Sequence, residues 1–173
     1  MCCYGFDEFK LSSRSIKNFK IEYDGFMMSL EAVIDAPSLV GFEYRGDDIP
    51  GSISFQATAS EWKSKIVVGF DMTVDGIIAS FFCLELYDIL KALSKSKISL
   101  CITQNIEGNR NIEEEAEEEK ETYVGLFEPV VVERLVLSLR KSQNPSSGFL
   151  KNLKSICLAR KWVREETSEE ETE

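Results

Sequence analysis

Histidine is missing from this chain altogether. Its absence removes the commonest general base, the Ser-His and Cys-His nucleophile pairs, and the most frequent nitrogen ligand for metals. Basic charge is scarce as well, with 20 Lys and Arg against 30 Asp and Glu and a formal net charge of −10. Phosphate contacts need clustered bases undiluted by carboxylates, so the composition speaks against nucleic acid and against an anionic membrane as partners. The opening Met1-Cys2-Cys3-Tyr4-Gly5-Phe6-Asp7 has neither the basic segment nor the apolar stretch of a secretory signal. The longest apolar stretch, around Ile77 to Leu86, is interrupted by Ser80 and Glu85 and falls far short of the ~20 residues of a membrane span. Cys2, Cys3, Cys83, Cys101 and Cys157 are odd in number and lack the two spaced pairs of a zinc ribbon. No disulfide framework and no cofactor are expected, and the setting these absences point to is intracellular, in the cytoplasm or nucleus.

What is present suits one globular domain: 173 residues, 43% of them hydrophobic, are enough for a working core. Most of the negative charge sits in two places. Glu107 to Glu121 carries −6 and Arg164 to Glu173 carries −5, which leaves +1 for the remainder. Both segments lack apolar residues to bury and repel themselves, the composition of a solvated, disordered insert and tail. A segment that binds a basic partner has the same composition. Cys83 falls on an apolar helix pattern and Cys101 alternates with strand residues, so both read as small packed residues.

Repetition is the most informative feature. Ile16-Lys17-Asn18-Phe19-Lys20-Ile21 and Leu39-Val40-Gly41-Phe42-Glu43-Tyr44 share the pattern apolar-x-x-apolar-x-apolar at an offset of 23 residues. A weaker pair matches Phe6, Phe9 and Leu11 to Leu30 and Val33 at an offset of 24, with Asp35 in the last apolar place. Both offsets lie within the ~20–29-residue leucine-rich period, in which one short strand cannot bury its apolar face alone and successive units stack. Short amphipathic strands of an ordinary antiparallel sheet would give the same pattern, so both readings stay open here.

Beyond Pro50, Gly51 to Ala57 alternates through Ile53 and Phe55, and Lys65 to Phe70 reads as a short strand. Phe82, Leu86, Ile89, Leu90 and Leu93 recur at three- and four-residue spacing, which predicts a helix from about Ser80 to Ser94. Ile98, Leu100 and Ile102 alternate as in a half-buried strand, and Val130 to Leu137 is apolar and β-branched enough for another. Asn144-Pro145-Ser146-Ser147-Gly148 is a turn cluster in which Ser147 is placed to cap a helix carrying Phe149, Leu150, Leu153 and Ile156. Alternating strands and helices predict an α/β solenoid.

The block Leu30-Glu31-Ala32-Val33-Ile34-Asp35-Ala36-Pro37-Ser38-Leu39-Val40-Gly41-Phe42-Glu43-Tyr44-Arg45-Gly46 resembles the "I-D-A-P-x-L-x-x-F-x-Y-x-G" signature of plant F-box proteins with C-terminal leucine-rich repeats. Asp88 to Ser96 with Ile98 to Ile102 is similar to that family's late helix and strand. Pro129-Val130-Val131-Val132-Glu133-Arg134-Leu135-Val136-Leu137 resembles its "P-x-V-V-E-H-L-x-L" strand, with Arg134 in place of His, and Phe149 to Trp162 resembles its terminal helix. None of these blocks is catalytic.

The resemblance implies a leucine-rich-repeat-like region over 1–105 and a strand and helix completing the repeats at 122–163, and the charge runs add an acidic disordered insert at 106–121 and an acidic disordered tail at 164–173. It implies a non-enzymatic module that binds a protein substrate. The family's F-box, of the form "L-P-x-x-L-x-x-x-I-L-S-x-L-P", docks on a Skp adaptor and cullin, and no segment here matches it. One 23-residue period back from Ile16 falls before Met1, so the expectation is the C-terminal part of such a protein. The competing expectation is a truncated gene fragment without activity of its own. Candidate contact residues are Lys17, Lys20, Val40 and Glu43, between the strands' core positions, where ordinary solvated residues also lie. Asp47 with Asp48, and Asp71 with Asp75, are the nearest approach to a cation site, but they lack a metal-loop spacing and read as turn residues.

Overall fold

The computed structural model describes residues 8–23, 31–104 and 128–167. Eleven strands and two helices follow one another as β1 (Glu8–Ser12), β2 (Asn18–Tyr23), β3 (Glu31–Asp35), β4 (Gly41–Gly46), β5 (Ser52–Ala57), β6 (Lys63–Phe70), α1 (Ile77–Ala92), β7 (Lys97–Gln104), β8 (Val130–Val132), β9 (Arg134–Arg140), α2 (Ser147–Ile156), β10 (Cys157–Ala159) and β11 (Trp162–Thr167). The class is α/β, and every strand pair in it is parallel. An antiparallel sheet, one of the two readings of the repeat pattern, is thereby ruled out for the described residues.

The main sheet has six strands in the order β11-β9-β7-β6-β4-β2, so its neighbours follow chain order with one strand added at each pass. The described elements outside that sheet form a second layer: a three-stranded parallel sheet β1-β3-β5, helices α1 and α2, and the pair β10-β8. Aromatic rings tie the layers together. Phe9 stacks on Phe19 with centroids 5.8 Å apart, Phe42 meets the edge of Phe55 at 5.1 Å, and Phe70 stacks on Phe82 at 3.9 Å and on Phe149 at 5.4 Å. Strand alternation sends Phe42, Ile66, Leu100, Leu135 and their neighbours inward to one continuous core with Leu86 and Leu90 of α1 and Leu153 of α2.

The repeat offset of 23 is a register: Phe19 pairs with Phe42 and Ile21 with Tyr44. The weaker pair is corrected from 24 to 23. Phe9 lies beside Ala32 and Leu11 beside Ile34, both of them buried, whereas Val33 faces the half-exposed side next to Lys10. A slip of one residue reverses every side chain's face, so the fully buried Ala32 and Ile34 decide the pairing.

Four further expectations change. Helix α1 starts three residues before Ser80, because Gly76, at φ 75°, holds a backbone conformation that L side chains rarely adopt, and the chain turns helical directly after it. Val130 to Leu137 is two strands. Glu133 is the corner where the chain leaves the pair with β10 for the main sheet, its N–H donating to the Ile98 carbonyl at 2.9 Å. Helix α2 is capped by Ser146 rather than Ser147, with the Ser146 hydroxyl accepting from the Phe149 N–H at 3.1 Å. It ends at Ile156, well short of Trp162, because Cys157 is extended and joins β10.

The tail expected from residue 164 is likewise shortened. Residues 164–167 belong to β11, in register with Leu137 to Arg140, and Arg164 donates to Asn144 Oδ1 and to the Gln143 carbonyl. The insert at 106–121 and residues 168–173 lie outside the described residues.

Candidate interaction face

Parallel sheets are ordinarily covered on both faces, because their crossovers place other elements on each side. Here the described crossover elements β3, β5, α1, α2 and the pair β10-β8 pack on the inward side, and the other face carries exposed charge. In register across it runs the row Lys20, Glu43, Lys65, Ser99 and Arg134. Two residues toward the strand starts is a second row of Asn18, Gly41, Lys63 and Lys97. Two residues the other way lie Arg45, Val67, Cys101, Val136 and Val163, a largely apolar row in which Val67 and Val136 are only 7% and 6% exposed. The face is thus a basic band beside a recessed apolar strip.

Gly41 makes the floor of the band. A Cβ there would collide with the Asn18 carboxamide oxygen, so a side chain at this point of the row would displace Asn18. The band and its rim enclose a shallow depression of about 790 Å³ lined by Lys20, Glu43, Lys63, Lys65, Lys97 and Arg160 among others.

Most of its charges are paired. Lys65 meets Glu43 at 3.3 Å, Lys20 meets Glu22 at 2.8 Å, and Arg160 meets Glu133 at 3.4 Å. The hydrogen bond from Lys20, with its charge, holds the Glu22 carboxyl below the usual carboxylate range. Lys63 and Lys97 are directly opposite each other on β6 and β7, both are exposed, and neither has an ion-pair partner among the described residues.

Of the residues singled out from sequence, Lys20 and Glu43 are brought together as neighbours on this face. Lys17 and Val40 are not on it. They sit one residue ahead of β2 and β4 at the strand starts, where the Val40 N–H donates to the Lys17 carbonyl at 2.8 Å, and Val40 is 45% exposed. Lys63, Lys97 and Arg134 are not among the contacts singled out from sequence. The Lys-Ser-Lys alternation at 63–65 is visible in sequence, but a 34-residue step separates Lys63 from Lys97, and no 23-residue period would bring them together.

The other polar groups have local tasks. Burial acts to raise the Asp71 carboxyl, but the Thr73 hydroxyl and N–H and the Gln104 amide all donate to it and hold it below its usual range. Asp75 accepts from the Gly148 N–H at 3.1 Å, in the first turn of α2. Burial, with a smaller contribution from Cys157, pushes the Cys83 thiol up to about 12; burial does the same to Cys157. Such thiols are packing groups rather than nucleophiles. No helix among the described residues is long and apolar enough to cross a membrane. Compared with known proteins, the chain matches no family model, no curated protein and no solved structure.

Proposed function

We propose that this chain is a non-enzymatic protein-interaction module, a leucine-rich-repeat-like solenoid whose open sheet face recognises another protein, in the manner of the substrate-recognition repeats of F-box ubiquitin-ligase adaptors. The observation that carries this reading is a six-stranded parallel sheet with one face that none of the described elements covers, lined with charge beside a recessed apolar strip. Two further features support it. Main-sheet strands follow chain order, as stacking coils require, and the first two passes advance by 23 and 22 residues in register. Two later passes are longer and carry helices: the chain spends 16 residues on α1 between β6 and β7 and 10 on α2 between β9 and β11.

A photo-crosslinking amino acid placed at Lys20 or Ser99, on the open face, is expected to trap the same protein, whereas the same probe at Lys91 or Lys151 on the helices traps none. Trapping from the helices alone overturns the reading. The F-box-like role is tested separately. No segment here matches the adaptor-docking sequence, so the 173-residue chain and a purified Skp adaptor are expected to elute apart in size-exclusion chromatography. A stoichiometric complex would show that a docking surface exists outside the F-box pattern.

A further inference from the structure

We infer that the open face takes an acidic polypeptide segment, held by Lys63 and Lys97 as its principal anion clamp. This rests on the interaction-module reading and adds the chemistry of the partner. Like charges directly opposite on neighbouring strands, which lie ~4.8 Å apart, repel one another. Every other base lining the depression has a carboxylate within 3.4 Å: Lys20 has Glu22, Lys65 has Glu43, and Arg160 has Glu133. Lys63 and Lys97 alone among them have none among the described residues, and both are exposed and line the depression, Lys63 next to the Gly41 floor. A carboxylate seated between the two ammonium groups removes the repulsion and satisfies donors on both sides.

The surroundings select a polypeptide over a polyphosphate. Glu43 stands within the basic band and Glu22 flanks it, so an unbroken run of phosphates would meet carboxylates, whereas a peptide sets its charges at chosen positions. Cys101, half-exposed between the recessed Val67 and Val136, lies four residues along β7 from Lys97, ~13 Å away, and offers apolar contact that a phosphate backbone cannot use. No aromatic ring is in the outward rows of β4, β6, β7 or β9 for a base to stack on.

The test uses the full chain and three fluorescein-labelled twelve-residue peptides, one rich in Asp, Glu and Leu, one neutral and one basic, with labelled duplex DNA as a fourth probe. The acidic peptide is expected to bind with an affinity that falls as salt rises, to lose at least tenfold in the K63Q/K97Q double variant, and to keep most of its affinity in K63R/K97R. Hydrogen exchange should show its protection on β4, β6 and β7. Equal binding to wild type and K63Q/K97Q overturns the lysine clamp, and DNA binding as tightly as the acidic peptide overturns the polypeptide assignment. Neutral or basic peptides bound on those same strands, with the acidic peptide unbound, would overturn this inference and leave the interaction module standing. Protection confined to α1 and α2, or no binding by any peptide, defeats both. Retention of the wild-type far-ultraviolet spectrum by K63Q/K97Q separates loss of the clamp from loss of fold.

Discussion

Lys97 costs the protein stability where it stands. Its charge faces that of Lys63 across the strand pair, and exchanging one member for a carboxylate converts repulsion to attraction. Lys97→Glu should therefore raise stability by about 0.5–1 kcal/mol in low salt, an advantage that shrinks as salt screens it. Urea titrations at two ionic strengths check this, and a destabilised variant would mean that Lys97 has a compensating contact. The buried thiols make the opposite kind of case. For Cys83 and Cys157 the folded state holds the pKa near 12, above the ordinary 9.0, so the stability linked to each neutral thiol is present in full below pH 9 and is lost as the pH rises toward 12. At pH 8 both should resist a thiol reagent in the folded protein and react at once in guanidinium, as mass spectrometry of the labelled peptides would show. Fast native labelling of either would place it on the surface.

At the scale of elements, local patterning was legible and corners were not. Ile98, Leu100 and Ile102 alternate, and β7 runs over Lys97–Gln104 as that alternation requires. Phe82, Leu86, Ile89 and Leu90 mark the buried stripe of α1 from sequence alone. By contrast, Val130 to Leu137 is an unbroken apolar run, and nothing local in it tells that Glu133 redirects the chain from one sheet into another. That turn is set by pairing with β10 and β7, from distant parts of the chain. The candidate face divides in the same way. Lys20 and Glu43 fall within a 23-residue repeat and could be matched by counting, whereas the neighbourhood of Lys63 and Lys97 depends on how much chain α1 consumes between them. The start of α2 shows how local the decision can be: the Ser146 hydroxyl accepts from Phe149 and donates to the Val74 carbonyl at 2.9 Å, a link that Ser147, one residue later, does not make. Ser146→Ala removes both bonds and should cost about 1–2 kcal/mol in thermal or urea unfolding, against a few tenths for Ser147→Ala. Equal losses would show that the cap is shared between them.

For the molecule as a whole, the order β2-β4-β6-β7-β9-β11 has a mechanical consequence. The first and last strands of the main sheet lie at its two opposite edges, so a pull applied through them runs across the strands and loads one interstrand seam at a time, whereas a pull along paired strands would shear a whole ladder at once. Successive seams are separated by 22 to 35 residues of chain. At ~3.5 Å of extended length per residue, each seam that opens releases on the order of 80–120 Å. Optical-tweezer traces with handles at residues 18 and 167 should therefore show a staircase of small, low-force steps of unequal length, the two longest from the β6–β7 and β7–β9 passes. A single high-force rupture releasing the whole chain would mean that the aromatic contacts between layers, rather than the seams, govern how the protein yields.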